Sequence, residues 1–302
     1  MTSRATPETA EDLRANLAGS LWMIGAMAAF AVEDALIKGA SDTLPVGQIL
    51  MVFGGGGAIV FAALARLSGQ ALYSPDVLSR PMRVRALFEV AGRLFYALAI
   101  VLTPLSAATV ILQATPLVVV AGAALVFGER VGWRRWGAIL VGLAGVIVIL
   151  QPGTESFSPL SILALIGMIG FAGRDLASRA APVSLGTHVL GTYGFLAVLV
   201  AGVIVALWES AAFQRPGPVA AACLGLAVLA GVAAYGSLMK AMRTGAVAAV
   251  TPFRYTRLLF GTALGIAIFG EELTLAMALG SGMIVLSGLF ILWRGRQVAG
   301  GV

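Results

Sequence analysis

The chain carries the same succession of short sequence blocks twice. Phe127-Gly128-Glu129 recurs as Phe269-Gly270-Glu271, at a shift of 142 in the numbering. The other blocks recur in the same order at nearly the same shift: Ile24-Gly25 as Ile166-Gly167, Phe30 as Phe171, Asp34 as Asp175, Ser106–Thr109 as Ala248–Thr251, and Gly137 and Gly145 as Gly280 and Gly288. Such ordered repetition predicts two copies of one folding unit.

Each copy contains five apolar stretches that can cross a bilayer as helices, because about 20 apolar residues suffice. Five is an odd number, so the second copy must enter the membrane from the opposite side to the first. The predicted fold is an all-α integral membrane protein, with ten transmembrane helices in two inverted five-helix repeats around a central cavity. Secondary transporters commonly have this architecture.

The predicted spans are 17–38, 46–67, 86–102, 105–127 and 136–150 in the first copy, and 159–180, 184–208, 218–240, 245–269 and 273–293 in the second. We therefore divide the chain into a tail at 1–16, a first repeat at 17–150, a second repeat at 159–293 and a tail at 294–302.

Composition indicates that the solvent is lipid. Of the 302 residues, 59% are hydrophobic and only 11% are charged, with a mean hydropathy of +0.97. A soluble domain cannot bury that much apolar surface, so we expect a multi-pass protein of a bacterial cytoplasmic membrane. The chain has one cysteine, Cys223, and one histidine, His188, which argues against a disulfide, a metal site and a Ser-His catalytic system. We expect no cofactor.

Basic residues are distributed unequally between the two sides of the predicted membrane. Only Lys38 and Arg215 fall on the side opposite the N-terminus. The N-terminal side has fourteen: Arg4, Arg14, Arg66, Arg80, Arg83, Arg85, Arg130, Arg134, Arg135, Arg179, Lys240, Arg243, Arg294 and Arg296. This bias predicts that both termini are cytoplasmic. It also accounts for the net charge of +6 without a nucleic-acid partner, and no obligatory protein partner is indicated.

Eight ionisable residues interrupt the predicted spans. Each costs roughly 2.5–3.5 kcal/mol at a helix centre, so they must face one another, backbone groups or a wet cavity. They are Glu33, Asp34, Glu89, Arg93, Arg174, Asp175, Arg254 and Arg257. Four are acidic and four are basic, so complete pairing is arithmetically possible.

Two groups of these charges have alternative interpretations. Glu89 and Arg93 are spaced i,i+4 in the favoured orientation, which predicts a structural ion pair, although Arg93 retains donors for a cavity. Asp34, Arg174 and Asp175 occupy corresponding places in the two copies. They are candidates for gating or ion coupling, and interfacial anchoring is the alternative.

Arg254 and Arg257 form the most unusual pair of charges. At a spacing of i,i+3 they lie on one helix face, where two cations need an anionic partner. Glu33, Glu89 or Asp175 could supply it, and so could an anionic group on a substrate. Because arginine binds carboxylate and phosphate in a bidentate manner, a substrate carrying either group fits this pair.

Aromatic and polar side chains at membrane depth complete the predicted cavity. The candidate substrate-binding residues are Trp22, Glu33, Arg93, Tyr96, Gln113, Tyr235, Arg254 and Arg257. Helix packing is the alternative role for each aromatic residue. Thr115-Pro116 and Thr251-Pro252 interrupt two spans, which predicts either backbone that lines a cavity or simple kinks.

The run from Ser106 through Phe127-Gly128-Glu129 to Trp136-Gly137 resembles the EamA domain of the drug/metabolite transporter superfamily, and the run around Phe269-Gly270-Glu271 resembles the same domain again. The resemblance implies a ten-helix exporter of small metabolites with both termini cytoplasmic. Within the superfamily the chain looks most like amino-acid exporters of the YddG type, which handle aromatic and other amino acids. When the two copies are aligned on these blocks, Arg254 and Arg257 lie over Leu112 and Thr115, so an asymmetric cavity is expected.

We therefore expect a secondary transporter that exports small metabolites by alternating access. The predicted substrate is an amino acid or a related zwitterion, with arginine for its carboxylate and Glu33 or Asp34 for its ammonium group. A facilitator or an antiporter for other solutes, such as drugs or nucleotide-type metabolites, would use the same fold. A membrane-embedded enzyme is the alternative from a different class, but no metal constellation or nucleophile motif supports it.

Overall fold

The computed structural model describes residues 10–128, 131–151, 158–180, 182, 184–245 and 247–299, all helical or loop. The first repeat contains α1 Ala10–Ala40, α2 Val46–Leu67, α3 Arg80–Leu102, α4 Leu105–Leu112, α5 Thr115–Phe127 and α6 Trp133–Leu150. The second contains α7 Ser161–Arg179, α8 Thr187–Glu209, α9 Pro218–Thr244, α10 Val247–Val250, α11 Thr256–Phe269 and α12 Leu275–Ala299. Short 3₁₀ segments occupy Pro75–Leu78 and Thr251–Tyr255.

These helices confirm the predicted all-α fold with ten spans. α4 and α5 form one broken span, and α10, the 3₁₀ segment and α11 form another. Eight spans among the described residues are long and apolar enough to cross a membrane by composition alone. The other two are α3, which is rich in charge, and the span that α10 and α11 divide between them. We call the end of the bundle where α1 begins the terminal face and the other end the distal face.

Helix packing relates the two repeats by approximate twofold symmetry. The most extensive contacts are those of α2 with α8, α6 with α12, α1 with α9 and α3 with α7. Exchanging α1 with α7, α2 with α8, α3 with α9 and α6 with α12 reproduces the same four pairs. The charged residues of α1 and α3 meet those of α7 and of the second broken span between the repeats.

Glycines let the helix backbones approach each other at these contacts. A Cβ atom at Gly54 of α2 would overlap the backbone nitrogen of Leu199 in α8. In the α3–α7 contact, a Cβ atom at Gly170 would lie 2.5 Å from the Cα atom of Gly92. Small residues are the usual means of close helix association in membranes.

The two broken spans have matching local structure. At the first break, the Thr115 hydroxyl donates to the Leu112 carbonyl oxygen at 2.5 Å, and at the second the Thr256 hydroxyl donates to that of Phe253 at 2.7 Å. Thr115 and Thr256 differ by 141 in the numbering, and so do Leu112 and Phe253. α4 and α10, which precede the breaks, begin at Leu105 and Val247, a shift of 142. At the breaks the two hydrogen bonds favour a shift of 141, by which Arg254 corresponds to Gln113. The shift returns to 142 beyond them because α11 has 14 residues and α5 has 13.

Candidate functional site

Nine charged side chains meet between the repeats: seven are joined by successive ion pairs, and Asp34 and Arg257 form a separate pair beside them. We call the nine together the charge network. Its acidic members lie on α1, α3 and α7, and its basic members lie on α3, α7, the 3₁₀ segment and α11. The members are Glu33, Asp34, Arg85, Glu89, Arg93, Arg174, Asp175, Arg254 and Arg257. All eight charges predicted within the spans belong to it.

Arg93 links α1 to α3 in the middle of the network. Its guanidinium lies 3.0 Å from the Glu33 carboxylate and 3.9 Å from that of Glu89. Glu89 in turn lies 3.1 Å from Arg174 on α7. The sequence spacing predicts a pair between Glu89 and Arg93 within α3, but each has a closer partner on another helix. Their contacts therefore hold three helices together.

The network continues toward the terminal face through α7. Arg174 pairs with its neighbour Asp175 at 2.8 Å, and Asp175 lies 3.8 Å from Arg254. Positive and negative groups alternate along this path from Glu33 to Arg254. Each charge at membrane depth thereby has an opposite charge beside it, which reduces the cost of its burial.

A second buried pair lies beside Glu33. Asp34 accepts a hydrogen bond from Arg257 at 2.5 Å and another from the Tyr96 hydroxyl at 3.0 Å. The Arg257 guanidinium also lies 5.0 Å from the centre of the Phe30 ring. Arg257 and Arg254 therefore have separate acidic partners, because the break in the span directs them to different helices.

Arg85 is a member that the sequence interpretation places in a loop. α3 begins at Arg80, six residues before the predicted start, so Arg85 lies within the helix and is buried. It pairs with Glu89 at 3.3 Å and donates to the Ser178 hydroxyl at 3.0 Å. With Arg85 included, the network contains five arginines and four carboxylates. It therefore has a net charge of +1 when all members are ionised.

Three buried polar atoms of the network have no hydrogen-bond partner within the described part of the chain. They are Glu33 Oε2, Arg93 Nε and Arg257 Nε, one acceptor and two donors. Asp34, Arg93 and Tyr96 line a void of about 10 Å³ beside them. That volume is too small for a solute, so the centre between the repeats is closed in this conformation.

The network members differ in exposure. The exposed fraction of the side chain is 32% for Arg254 and 21% for Arg174, but only 7% for Arg85 and 2% for Asp34. An exposed charge at membrane depth must face water rather than lipid. Arg254 and Arg174, both toward the terminal face, are therefore the members that we expect water to reach first.

The opposite side is closed by contacts that we call the distal closure, formed by Lys38, Glu271, Leu105 and Ser106. The Glu271 carboxylate accepts hydrogen bonds from the backbone nitrogens of Leu105 and Ser106, at 2.6 and 2.9 Å, and from the Ser106 hydroxyl at 2.6 Å. A carboxylate at the N-terminus of α4 also interacts favourably with the helix dipole. These bonds join the two repeats across the distal face.

Lys38 completes the distal closure from α1. Its ammonium group donates to the carbonyl oxygens of Ile100 and Thr103, at 2.8 and 2.6 Å, and lies 3.9 Å from Glu271. Sequence reasoning does not assign Lys38 or Glu271 to the site. Glu271 could have been found from the sequence, because the Phe-Gly-Glu block that contains it occurs in both repeats. Its counterpart Glu129 lies outside the described residues.

The uncharged candidates are distributed unequally. Gln113 joins the site, because its side-chain amide donates to the Arg254 carbonyl oxygen at 3.0 Å. Tyr235 packs edge-on against Phe61, with ring centres 5.3 Å apart. Trp22 lies half-exposed under the ammonium group of Lys240, 4.1 Å from it, near the terminal end of the α1–α9 contact. The structure does not bring Trp22 to the charge network.

Comparison with known families identifies both halves of the chain. Residues 17–151 and 159–293 each match the EamA-like transporter family. The chain belongs to this family. The two matched segments correspond to α1–α6 and α7–α12, so each repeat is one EamA unit.

Characterised relatives of this EamA-like transporter are membrane transporters with different substrates. An S-adenosylmethionine uptake transporter of Rickettsia prowazekii is 24% identical over 94% of this chain and 96% of the relative. A pseudopaline exporter of Pseudomonas aeruginosa is 27% identical over 92% and 97%. A riboflavin transporter of Vibrio cholerae is 26% identical over 91% and 93%. These relatives establish a transporter and do not single out aromatic amino-acid export.

A solved structure supports the fold of the EamA-like chain. One crystal structure superposes with a TM-score of 0.63 at 21% identity, covering 93% of this chain and 98% of the other. At that level of identity the similarity concerns the fold alone. Among the residues described here, no group of three or more His, Cys, Asp and Glu side chains is arranged to hold a metal ion.

Proposed function

We propose that this EamA-like transporter exports small zwitterions that carry a carboxylate, specifically amino acids, by alternating access. The charge network is the proposed binding site. The distal closure is the barrier that opens to release the substrate. Both termini, and therefore the terminal face, are assigned to the cytoplasm from the distribution of basic residues.

The observation that carries the proposal is the set of three unpartnered atoms. An α-amino acid presents one ammonium group and one carboxylate. Glu33 Oε2 is a free acceptor for the ammonium group, and the Nε atoms of Arg93 and Arg257 are free donors for the carboxylate. Leaving buried polar atoms unpaired costs about 1–3 kcal/mol each, and a bound zwitterion would recover that free energy.

The net charge of the network supports a substrate with a carboxylate. Five arginines face four carboxylates, so one further negative group brings the site to neutrality. Arginine binds carboxylates with strong, oriented hydrogen bonds. An amide or ester of the same amino acid retains the ammonium group but lacks this negative charge, and would increase the positive charge of the site.

One relative is consistent with this substrate class. S-adenosylmethionine, the substrate named for the Rickettsia prowazekii relative, contains the amino-acid group of methionine. The relatives include both uptake and export proteins, so family membership does not determine the direction of transport. We propose export as the direction, as expected from the sequence.

Counterflow in proteoliposomes tests this proposal. Vesicles loaded with an unlabelled amino acid should accumulate the labelled form, and the amide and methyl ester should exchange at least tenfold more slowly. Arg93→Lys, which retains the charge but removes the Nε donor, should reduce amino-acid exchange and leave a monodisperse elution profile. Equal exchange of acids, amides and esters would remove the carboxylate–arginine contact from the mechanism.

A further inference from the structure

A groove outside the charge network opens onto the lipid-facing surface at the terminal face. It lies between the start of α6 and the end of α12 and has a volume of about 510 Å³. Its lining is mostly apolar, with one basic residue: Trp133, Arg134, Gly137, Ala138, Phe290 and Trp293. None of these residues contributes to the charge network or to the distal closure.

The groove exists because α6 and α12 are in backbone contact deeper in the bilayer. A Cβ atom at Gly145 would lie 2.8 Å from the carbonyl oxygen of Gly280. The Ser287 hydroxyl donates to the Ala138 carbonyl oxygen nearer the terminal face. Gly137, beside Ala138, has no side chain to fill the space beyond this contact. The floor is therefore shallow, and large aromatic side chains form its walls.

Those walls suit the boundary between hydrocarbon and head groups. The Phe290 and Trp293 rings lie 5.9 Å apart on α12, and the exposed Trp133 indole lies across the groove on α6. Tryptophan is enriched at this depth because its ring is apolar and its N–H is polar. Leu140 of α6 and Leu286 of α12 are exposed at greater depth, so lipid chains contact both helices below the groove.

The basic member determines which head group fits. The Arg134 guanidinium lies 5.5 Å from the centre of the Trp133 ring, so it stands over an aromatic wall at the mouth of the groove. Arginine donates several N–H groups in a planar fork that matches phosphate oxygens. The terminal face is also the basic side of the chain, and basic residues close to a membrane surface attract anionic lipids.

We propose that this groove binds an anionic phospholipid, with its phosphate on Arg134 and its acyl chains along the apolar floor toward Leu140 and Leu286. The site is independent of the proposed substrate. Because it lies between α6 and α12, the last helix of each repeat, the lipid would contact both repeats at once.

Quenching of tryptophan fluorescence by brominated lipids tests this proposal. In full-length protein, Trp22, Trp133, Trp136 and Trp208 are replaced by Phe, which leaves Trp293 as the reporter. A matched protein retains only Trp208, which lies near the distal end of α8. Each is reconstituted in phosphatidylcholine vesicles containing either brominated phosphatidylglycerol or brominated phosphatidylcholine in equal amounts.

The lipid that quenches Trp293 should be phosphatidylglycerol in preference to phosphatidylcholine, with an apparent affinity about fivefold higher. One basic side chain near an anionic lipid contributes about 1 kcal/mol, which corresponds to that factor. Trp208 should show no such preference. Arg134→Gln should abolish the preference of Trp293, Arg134→Lys should retain part of it, and Arg135→Gln should leave it unchanged.

The proposal fails if Trp293 is quenched equally by both lipids, or if its preference survives Arg134→Gln. It also fails if neither lipid quenches Trp293. In that case disulfide-linked dimers of a Trp293→Cys variant, made in a Cys223→Ser background, would show that a second copy of the chain covers the groove.

Discussion

Gln113 and Arg254 are equivalent residues of the two repeats, and they are in direct contact. The Gln113 side-chain amide donates to the Arg254 carbonyl oxygen at 3.0 Å. Two equivalent residues can touch only near the pseudo-twofold axis, so both helix breaks lie at the centre of the molecule. The carbonyl group freed by one broken helix is thus satisfied by the other repeat, as backbone at membrane depth requires.

The pair formed by Arg257 and Asp34 should be needed for both folding and transport. Arg257→Gln leaves the buried Asp34 carboxylate without its charged partner, which should cost about 3–5 kcal/mol of folding free energy. Adding Asp34→Asn removes the uncompensated charge and should restore most of the thermal unfolding midpoint in detergent. Counterflow should remain lost in the double variant, and its recovery would show that the pair is only structural.

Glu271→Gln should weaken the distal closure. Hydrogen bonds to a charged acceptor contribute roughly 1 kcal/mol more than neutral ones, so the closed population should fall and distal opening should rise about fivefold. The readout is labelling of an Ala97→Cys variant, in a Cys223→Ser background, by a membrane-impermeant thiol reagent added on the distal side. Ala97 lines the void beside the charge network.

The neighbouring glutamate provides the control for this experiment. Glu272 is exposed, and a Glu272→Gln change removes the same charge one residue away. It should leave the labelling rate at the level of the unmodified chain. If both variants raise labelling equally, opening depends on the total negative charge at the distal face and not on the hydrogen bonds that Glu271 accepts at the N-terminus of α4.

Adjacent glycines of α2 should respond in opposite ways to alanine. Gly54→Ala places a methyl group against the backbone of Leu199 and should cost about 1–3 kcal/mol by overpacking. A Cβ atom at Gly55 meets nothing within 4 Å, so Gly55→Ala should be neutral or stabilise the helix by up to about 1 kcal/mol. Thermal unfolding of both variants in one detergent compares them, and equal midpoints would contradict the close α2–α8 contact.

Sequence predicts the helices of this protein well and the partners of its charges poorly. Long apolar runs and the repeated blocks are local signals, so the ten spans follow from them. The choice of partner depends on which helices become neighbours, and the packing of α3 on α7 brings Glu89 to Arg174. Sequence places Arg85 in a loop because a short apolar run does not show where α3 begins.

Side-chain direction is also beyond the sequence. The same-face argument for Arg254 and Arg257 assumes a regular α-helix, whereas the 3₁₀ segment alters the angle between them. Trp22 and Glu33 lie three turns apart on the same face of α1, but different residues of α9 lie beside them. Lys240 lies over Trp22, and Gly231 lies beside Glu33.

Membrane orientation remains a prediction that a labelling experiment can decide. Arg215→Cys lies in the exposed connection between α8 and α9 at the distal face, and Tyr73→Cys lies in the connection between α2 and α3 at the terminal face. In intact cells with a Cys223→Ser background, an impermeant reagent should modify the first and not the second. The reverse pattern would place both termini outside the cell.

The contact between α2 and α8 determines where this protein can bend. Backbone meets backbone at Gly54, and both ends of the contact are fastened: Glu209 accepts from the backbone nitrogen of Gly47 at 2.9 Å, and Ser68 lies 3.2 Å from the His188 ring. Beside the backbone contact, the Phe195 ring of α8 packs against the rings of Phe53 and Phe61 on α2, at 5.2 and 5.6 Å between ring centres. Sliding one helix along the other would separate both kinds of contact at once, so we expect α2 and α8 to move as one rigid body in any transport cycle.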